Sequence, residues 1–500
     1  MKTFADFIDQ LERHGNKRAL VDANTAKSLS YTQLVSQTRM VAASLQERGL
    51  KPGERIVLYD VPGIAWVPIF LAAQLAHIIV VPVDTRASMD LVRSMIKKTK
   101  PRLIVSQHRL ALDTPIATPH QLLRKTERSF IQPRNKKPPI AEILLTSGTW
   151  SEPKGVTLSQ QNILANLAAA EKIYSVDSSE VFLSVLPLAH AYEQMCGLFM
   201  PLHAGASIVY LPEITAAKLT DTMKQYSVTM LVAVPRLLHM LRSGILRKVS
   251  PSRRSIFTLM VLRARNLPIR TRRLLFKKVH AGIGPYLHTI VIGGAPLEQP
   301  IDHFFQGLGY NTLIGYGLSE TSPILSISTD PKRPAGSVGK PLHNVRLKLN
   351  AQNEVLVSGP SIFVGYWPKS RTETWFNTED QAIVNADGHI VLTGRTKNMI
   401  IFPNGDKLFL EDIENIADSH PVVEESVAIT KGDDLHLLVR AKNSADIENV
   451  RRYVLSKLPS SVRIRAVHNI HPASLQRTHT LKLNRKKIAD EYRSRLNGEQ

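Results

Sequence analysis

Apolar residues at Phe4, Phe7, Ile8 and Leu11 repeat with the spacing of one helix face and predict a helix from Phe4 to His14. Ser30-Tyr-Thr-Gln predicts the opening of a second helix, which runs through Ser36 to Arg48 and stops at Gly49. The pattern then changes to short unbroken apolar runs. Arg55 to Tyr59, Ile78 to Pro82 and Arg102 to Ser106 read as strands buried on both faces, with helices Pro62 to Ala76 and Asp90 to Lys98 between them. This rhythm predicts a mostly parallel sheet covered by helices on both sides. Ser159 to Lys172 reads as a helix capped by Ser159. Val228 to Val234 and the run from Thr289 read as further strands. A β-rich block follows, with Val345 to Leu349, Glu354 to Val357 and a turn at Asn385-Ala-Asp-Gly388. From about residue 398 the pattern is that of a small α/β unit: helix Leu410 to Asp418, strands Val423 to Thr430 and Leu435 to Ala441, helix Ile447 to Leu458. No period of the length that marks a repeat array is present.

With 500 residues, of which 43% are apolar, the chain is expected to form two or three domains rather than one core. Its single cysteine, Cys196, excludes an internal disulfide, fits a reducing compartment and lies in an apolar run that predicts burial. The most hydrophobic stretch, Ile64 to Val83, is interrupted by Pro68, Gln74, His77 and Pro82, so a buried helix and strand explain it better than a membrane span. The N-terminus carries no apolar core of signal-peptide length. The expected location is cytoplasmic.

Charge changes the picture. Lys and Arg number 64 against 42 Asp and Glu, a net +22, and from Lys224 to Leu297 there is no acidic residue at all. Arg242, Arg247, Lys248, Arg253, Arg254, Arg263, Arg265, Arg270, Arg272, Arg273, Lys277 and Lys278 fall inside that stretch, interleaved with Ile256-Phe-Thr-Leu-Met-Val-Leu262 and Leu274-Leu-Phe276. A solvated basic face is one reading. Adsorption to an anionic membrane surface, peripheral at its inner face, is another. Nucleic acid is not an expected partner, because stacking aromatics are scarce and no recognition motif is present.

Candidate chemistry gathers at strand ends. Leu145-Thr-Ser-Gly-Thr-Trp-Ser-Glu-Pro-Lys-Gly155 follows the apolar run Ile143 to Leu145. Gly148 lets backbone N–H groups approach an anion, Thr146, Ser147 and Thr149 add hydroxyl donors, and Lys154 adds a mobile cation. The spacing is not that of a Walker A loop. Thr289-Ile-Val-Ile-Gly-Gly-Ala-Pro-Leu297 opens onto Gly293, Gly294 and Ala295, a turn against which a flat ring can lie. Leu313-Ile-Gly-Tyr-Gly-Leu-Ser-Glu-Thr-Ser-Pro323 sets Gly315 and Gly317 around Tyr316, where they are expected to leave volume, and places Glu320 to meet a cation. His190, in Leu186-Pro-Leu-Ala-His190, follows another strand end, where α/β sheets place ligands.

These segments, with Thr374-Trp-Phe-Asn-Thr-Glu-Asp380, Leu392-Thr-Gly-Arg-Thr-Lys-Asn398 and Leu475 to Lys487, stand in the order of the motifs of the adenylate-forming superfamily, and over nearly the whole chain. The sequence resembles bacterial long-chain fatty acid–CoA ligases most. The resemblance implies a large N-terminal α/β domain over 1–396 and a small mobile C-terminal α+β domain over 397–500. It further implies that residues 146–149 and Lys154 bind phosphate, that Tyr316 stacks on adenine, and that Glu320 holds magnesium while Thr321 meets the α-phosphate. Asp380 and Arg395 would take the ribose, His190 would border the acyl pocket, Lys397 would be the hinge and Lys482 the catalytic lysine. Departures are Trp150-Ser151 for Thr-Gly, Ser319 for Thr, Glu379 for Gly, Asn398 for Asp and Leu481 for Gly.

The implied reaction joins a fatty acid to CoA through an acyl-adenylate, with ATP and Mg2+ required. An acyl-AMP ligase serving an acyl-carrier protein, and a non-catalytic acyl- or nucleotide-binding relative motivated by Trp150-Ser151 and Glu379, are the alternatives.

Overall fold

The computed structural model describes residues 2–108, 110–124, 129–133, 139–146, 154–334, 336–395, 399–401, 407–431, 434–441, 446–458, 463–470, 476, 483 and 485–498. The chain forms two compact units. The first comprises Met1–Leu347, Val357–Phe376 and Val384–Val391, the second Lys348–Leu356, Asn377–Ile383 and Leu392–Gln500. The expected hinge, Lys397, lies outside the described residues.

The first unit is built on two large sheets. In the seven-stranded sheet the order is Gly365–Tyr366, Lys154–Ser159, Ile140–Thr146, Ile79–Val83, Arg55–Tyr59, Leu103–Val105, Ile116–Ala117. Its pairings are parallel from Ile140–Thr146 to Ile116–Ala117 and antiparallel at the other end. The nine-stranded sheet runs Lys340–Pro341, Ser326–Ser328, Asn311–Tyr316, Thr289–Ile292, Met230–Ala233, Val181–Ser184, Ser207–Tyr210, Arg18–Asp22, Ser28–Ser30. It too is parallel in its interior.

Local chemistry accounts for the helices. Thr3 caps Phe4–Glu12 and Ser30 caps Tyr31–Glu47, each in a reciprocal capping box with the residue three positions on. Ser159 does the same for Gln160–Glu171, with Asn162 as its partner. Helix Trp66–Leu75 is apolar but for Gln74, and all ten of its residues are buried. That disposes of the Ile64 to Val83 stretch as interior, and among the described residues no helix is long and apolar enough to cross a membrane. Cys196 is buried, as expected. Strands Arg18–Asp22 and Ser28–Ser30 were not predicted from the sequence, because they are short and flanked by polar residues.

In the second unit Val423–Lys431 pairs antiparallel with Asp434–Ala441, which pairs parallel with Ile464–Asn469. Helices Leu410–Asp418 and Ile447–Leu455 cover one face through Ile413, Ala417, Val450 and Val454. Ile488 and Ala489 of helix Arg485–Gly498 pack with Val427, Ile429 and Leu438 on the other. Arg485 holds that helix through ion pairs to Glu411 and Glu414, at 3.2 and 2.6 Å.

Candidate active site

Strand Ile140–Thr146 carries the chain to the expected phosphate loop, and Lys154–Ser159 returns antiparallel with Lys154 opposite Thr146. Ser147, Gly148, Thr149, Trp150 and Ser151 lie outside the described residues. The hairpin leaves Lys154 exposed, with its Nζ 4.9 Å from the centroid of the Tyr366 ring. Tyr366 is registered opposite Val156 on the neighbouring strand. Its hydroxyl donates to Glu320 Oε1 at 2.9 Å. One phenol therefore brings an expected phosphate-binding cation and an expected magnesium-binding carboxylate together. Tyr366 was missed in the sequence, where its signal was no more than an aromatic after a glycine in Gly365-Tyr-Trp367.

Tyr316 is the last residue of strand Asn311–Tyr316 and is buried. Glu320 sits in a 3-10 turn, Ser319–Thr321, buried, and its backbone carbonyl accepts from Phe363 N–H. Two expectations for this loop are corrected. Thr321 is fully buried, and its hydroxyl lies 2.9 Å from the Leu318 carbonyl and 2.7 Å from that of Pro323 while accepting from Leu318 N–H, so it shapes the loop rather than reaching a phosphate. Ser319, part-exposed beside Glu320, is the hydroxyl available there. Gly317 does not leave pocket volume: a Cβ would stand 1.7 Å from the Pro323 carbonyl oxygen, so the glycine is required by backbone approach. At Gly315 a Cβ would meet nothing closer than 3.8 Å.

Gly293, Gly294 and Ala295 follow strand Thr289–Ile292. The Gly293 position is closed on one side by the Tyr192 ring, 2.8 Å from where a Cβ would be. Tyr192 is pinned there by its hydroxyl, which lies 3.1 and 3.0 Å from the Ala233 and Val291 carbonyls. Gly294 takes φ +81° and is exposed, and a Cβ there would have no neighbouring atom nearer than 3.6 Å, leaving room for a flat ligand. His190, half-buried, is the residue before helix Ala191–Gln194.

Helix Gln160–Glu171 ties these loops together. Asn162 donates to the Pro360 and Ile362 carbonyls at 2.7 and 2.9 Å. Asn166, fully buried, donates to the Thr321 and Ile324 carbonyls and accepts from Ile324 N–H. Below them the Gln194 amide donates to Glu142 Oε2 at 2.9 Å and to the Leu188 carbonyl at 2.8 Å. This links strand Ile140–Thr146 to the segment carrying His190. Burial pushes the Glu142 carboxyl up to about 8, and that of Glu193, which accepts from Ser184 Oγ, likewise to about 8.

In the second unit, Asp380 is buried on strand Phe376–Val384 and accepts from Arg395 Nε at 2.6 Å. The two expected ribose ligands are thus brought together. Glu379, at the family's glycine position, has φ +60°, with its N–H donating to Asn377 Oδ1 at 2.9 Å. Lys482 and Leu481, like Lys397 and Asn398, lie outside the described residues.

The donor set suits the implied co-substrate. Among the described residues no cluster of three or more His, Cys, Asp or Glu exists that could cage a metal by itself. A lone buried carboxylate such as Glu320 beside a lysine fits Mg2+ shared with phosphate oxygens.

The fold is of the adenylate-forming type. A solved o-succinylbenzoate CoA synthetase from Bacillus subtilis, in complex with its acyl-adenylate intermediate, superposes with a TM-score of 0.80 at 18% identity, covering 96% of this chain and 97% of that one. The AMP-binding enzyme family matches residues 7–367, and the chain belongs to that family. Among curated proteins it is 25% identical over 452 residues to the long-chain-fatty-acid–CoA ligase FadD15 of Mycobacterium bovis (strain ATCC BAA-935 / AF2122/97), covering 79% of this chain and 74% of that protein. It is 27% identical over 361 residues to a chloroplastic long-chain-fatty-acid–[acyl-carrier-protein] ligase, AEE15, of Arabidopsis thaliana, over 58% of this chain and 49% of that one.

Proposed function

We propose that this protein activates a long-chain fatty acid with ATP, forming an acyl-adenylate and releasing pyrophosphate, and then passes the acyl group to the thiol of CoA with AMP as the leaving group. The observation that carries the reading is that Tyr366 meets both Lys154, over its ring, and Glu320, at its hydroxyl. A carboxylate and a thiol do not condense at neutral pH, because hydroxide leaves poorly. Adenylation supplies a better leaving group, and its cost lies in charge that must be neutralised at the phosphates. Lys154 supplies positive charge there. Glu320, oriented by the Tyr366 hydroxyl, would hold Mg2+, which offsets the remaining phosphate charge. Ser319 replaces Thr321 as the proposed α-phosphate donor. Asp380 and Arg395 would hold the ribose, Tyr316 the adenine, and the turn from Gly293 to Ala295 the flat face beside it. Lys482 would act on the adenylation transition state, and a swing at Lys397 would then exchange it for the thiol.

Acid-dependent exchange of labelled pyrophosphate into ATP, run with acids from acetate to palmitate, tests the first half-reaction. Absence of exchange with every acid refutes it and leaves the non-catalytic reading. An acyl-carrier-protein acceptor is the second reading, favoured by the net charge of +22, which suits an acidic partner. Offering CoA or carrier protein to preformed acyl-adenylate separates the two. The proposed location is cytoplasmic and peripheral, at an anionic membrane face.

A further inference from the structure

Nine of the fourteen exposed large apolar side chains among the described residues fall between Ile256 and Tyr286, inside the stretch without an acidic residue. Helix Arg254–Ala264 has its inner face satisfied: Val261 and Ala264 are buried, and Val261 lies against Gly307 of helix Gln299–Leu308, where a Cβ would clash at 2.1 Å. Yet Ile256, Leu259 and Met260, at one-turn spacing, are 61%, 50% and 49% exposed. Helix Ile269–Leu275 buries none of its residues and leaves Leu274 73% exposed. It is nonetheless held firmly, since Arg272 and Arg273 turn inward to the Gln306 and Leu287 carbonyls at 2.6 and 2.9 Å. Arg253, Arg263, Arg270, Lys277 and Lys278 remain exposed around the apolar residues. Nearby carboxylates are engaged elsewhere, Asp302 by Arg333 and Glu298 by His239.

We propose that these two helices form a docking surface for an anionic phospholipid bilayer, with the leucines, isoleucines and Met260 entering the headgroup boundary and the basic side chains meeting lipid phosphates. This rests on the peripheral location proposed above and is independent of the ligase chemistry. Exposed apolar area alone would serve equally for pairing two copies of the chain. Such pairing would set basic against basic with no acidic residue of this stretch to relieve it, whereas an anionic interface complements both features.

The full-length protein is sedimented at about 0.15 M salt with vesicles of phosphatidylcholine alone, or of phosphatidylcholine mixed with phosphatidylglycerol. Binding to the mixed vesicles in clear excess over the neutral ones is expected. The double variant Leu259→Glu, Leu274→Glu is expected to lose binding by about tenfold or more, because both apolar insertion and charge attraction are reversed. Arg263→Gln with Arg270→Gln is expected to weaken binding to the anionic vesicles and leave the weak neutral binding as it was. Unfolding midpoints and pyrophosphate exchange with a short soluble acid are expected to match the parent, since every substituted residue is exposed and outside the site. No binding by the parent, equal binding to both vesicles, or full binding by the Leu259, Leu274 variant would each overturn the proposal. So would a parent dimer that the variant makes monomeric. Vesicle binding without any pyrophosphate exchange removes the ligase reading and leaves this surface standing.

Discussion

Replacing Glu142 by Gln offers the sharpest check on how the interior of the first unit is held together. Glu142 is fully buried, one of its oxygens accepts from Gln194, and the other has no hydrogen-bond partner among the described residues. An ionised carboxylate there would stay half-unsatisfied, so the folded protein keeps it neutral, raising it from its ordinary 4.5 to about 8. The unfolded chain ionises above 4.5, and the folded chain holds the extra proton until about 8. The fold therefore loses stability as pH rises through that window and levels off above it. The slope is about 1.4 kcal/mol per pH unit, and the whole effect is on the order of 3–5 kcal/mol. Gln mimics the neutral acid in shape and can accept the same Gln194 hydrogen bond, but it does not titrate. Glu142→Gln is thus expected to be the more stable chain, with its advantage widening by about 2 kcal/mol between pH 6 and pH 8. Urea midpoints of the two chains, compared at each pH, isolate this residue because every other group is shared. An advantage that stays constant with pH, or shrinks, would refute the assignment of a neutral Glu142.

Three further outcomes follow from particular contacts. Tyr366→Phe keeps the ring under Lys154 but deletes a hydrogen bond to a carboxylate, about 1.5–3 kcal/mol. It is expected to cut kcat/KM for pyrophosphate exchange by about tenfold or more, with a raised Mg2+ requirement; unchanged kinetics would remove Tyr366 from the site. Glu379→Gly relieves a left-handed backbone and is expected to raise the unfolding midpoint of the second unit, by about 1 kcal/mol or less after the added chain entropy. A lower midpoint would mean that the Glu379 side chain contributes more than its backbone costs. Asn166→Leu strands the Thr321 and Ile324 carbonyls and the Ile324 N–H, costs on the order of 3 kcal/mol by urea unfolding, and is expected to depress exchange activity through the Ser319–Thr321 turn. A loss below about 0.5 kcal/mol would show that water replaces all three bonds.

The fold was legible wherever period and boundary agreed. Arg55–Tyr59 and Leu410–Asp418 fall where the pattern placed them, the first because it is an unbroken apolar run between Glu54 and Asp60, the second because its apolar residues keep helical spacing. Ser159 was legible as a cap because its side chain acts on residues three positions away. What was not legible depends on partners distant in sequence. Arg18–Asp22 becomes a strand because Ser207–Tyr210 is there to pair with it, and nothing within the segment announces that. The basic stretch shows the same limit from the other side. Its composition allowed a solvated face, and it took the packing of Val261 on Gly307 to show which apolar residues the fold uses and which it leaves bare.

In both units the sequence singled out charged candidates but not the residues they touch. Lys154 and Glu320 stood out as charges in glycine-bearing loops, whereas Asp380 and Arg395 stood out only through the motifs that their segments resemble. Contacts to them or to their loops belong to residues of ordinary character. Tyr366, Asn166 and Gln194 would pass in the sequence as one aromatic and two amides. Thr321 and Gly317 mislead in the opposite direction, since each lies inside a motif yet answers to local backbone: one satisfies Leu318 and Pro323, the other makes way for the Pro323 carbonyl. A carboxylate at the family's glycine position, Glu379, looked like a change in chemistry, but its side chain is exposed while its backbone is left-handed at φ +60°. The position is therefore constrained by conformation, and the substitution weighs first on the stability of the strand that presents Asp380.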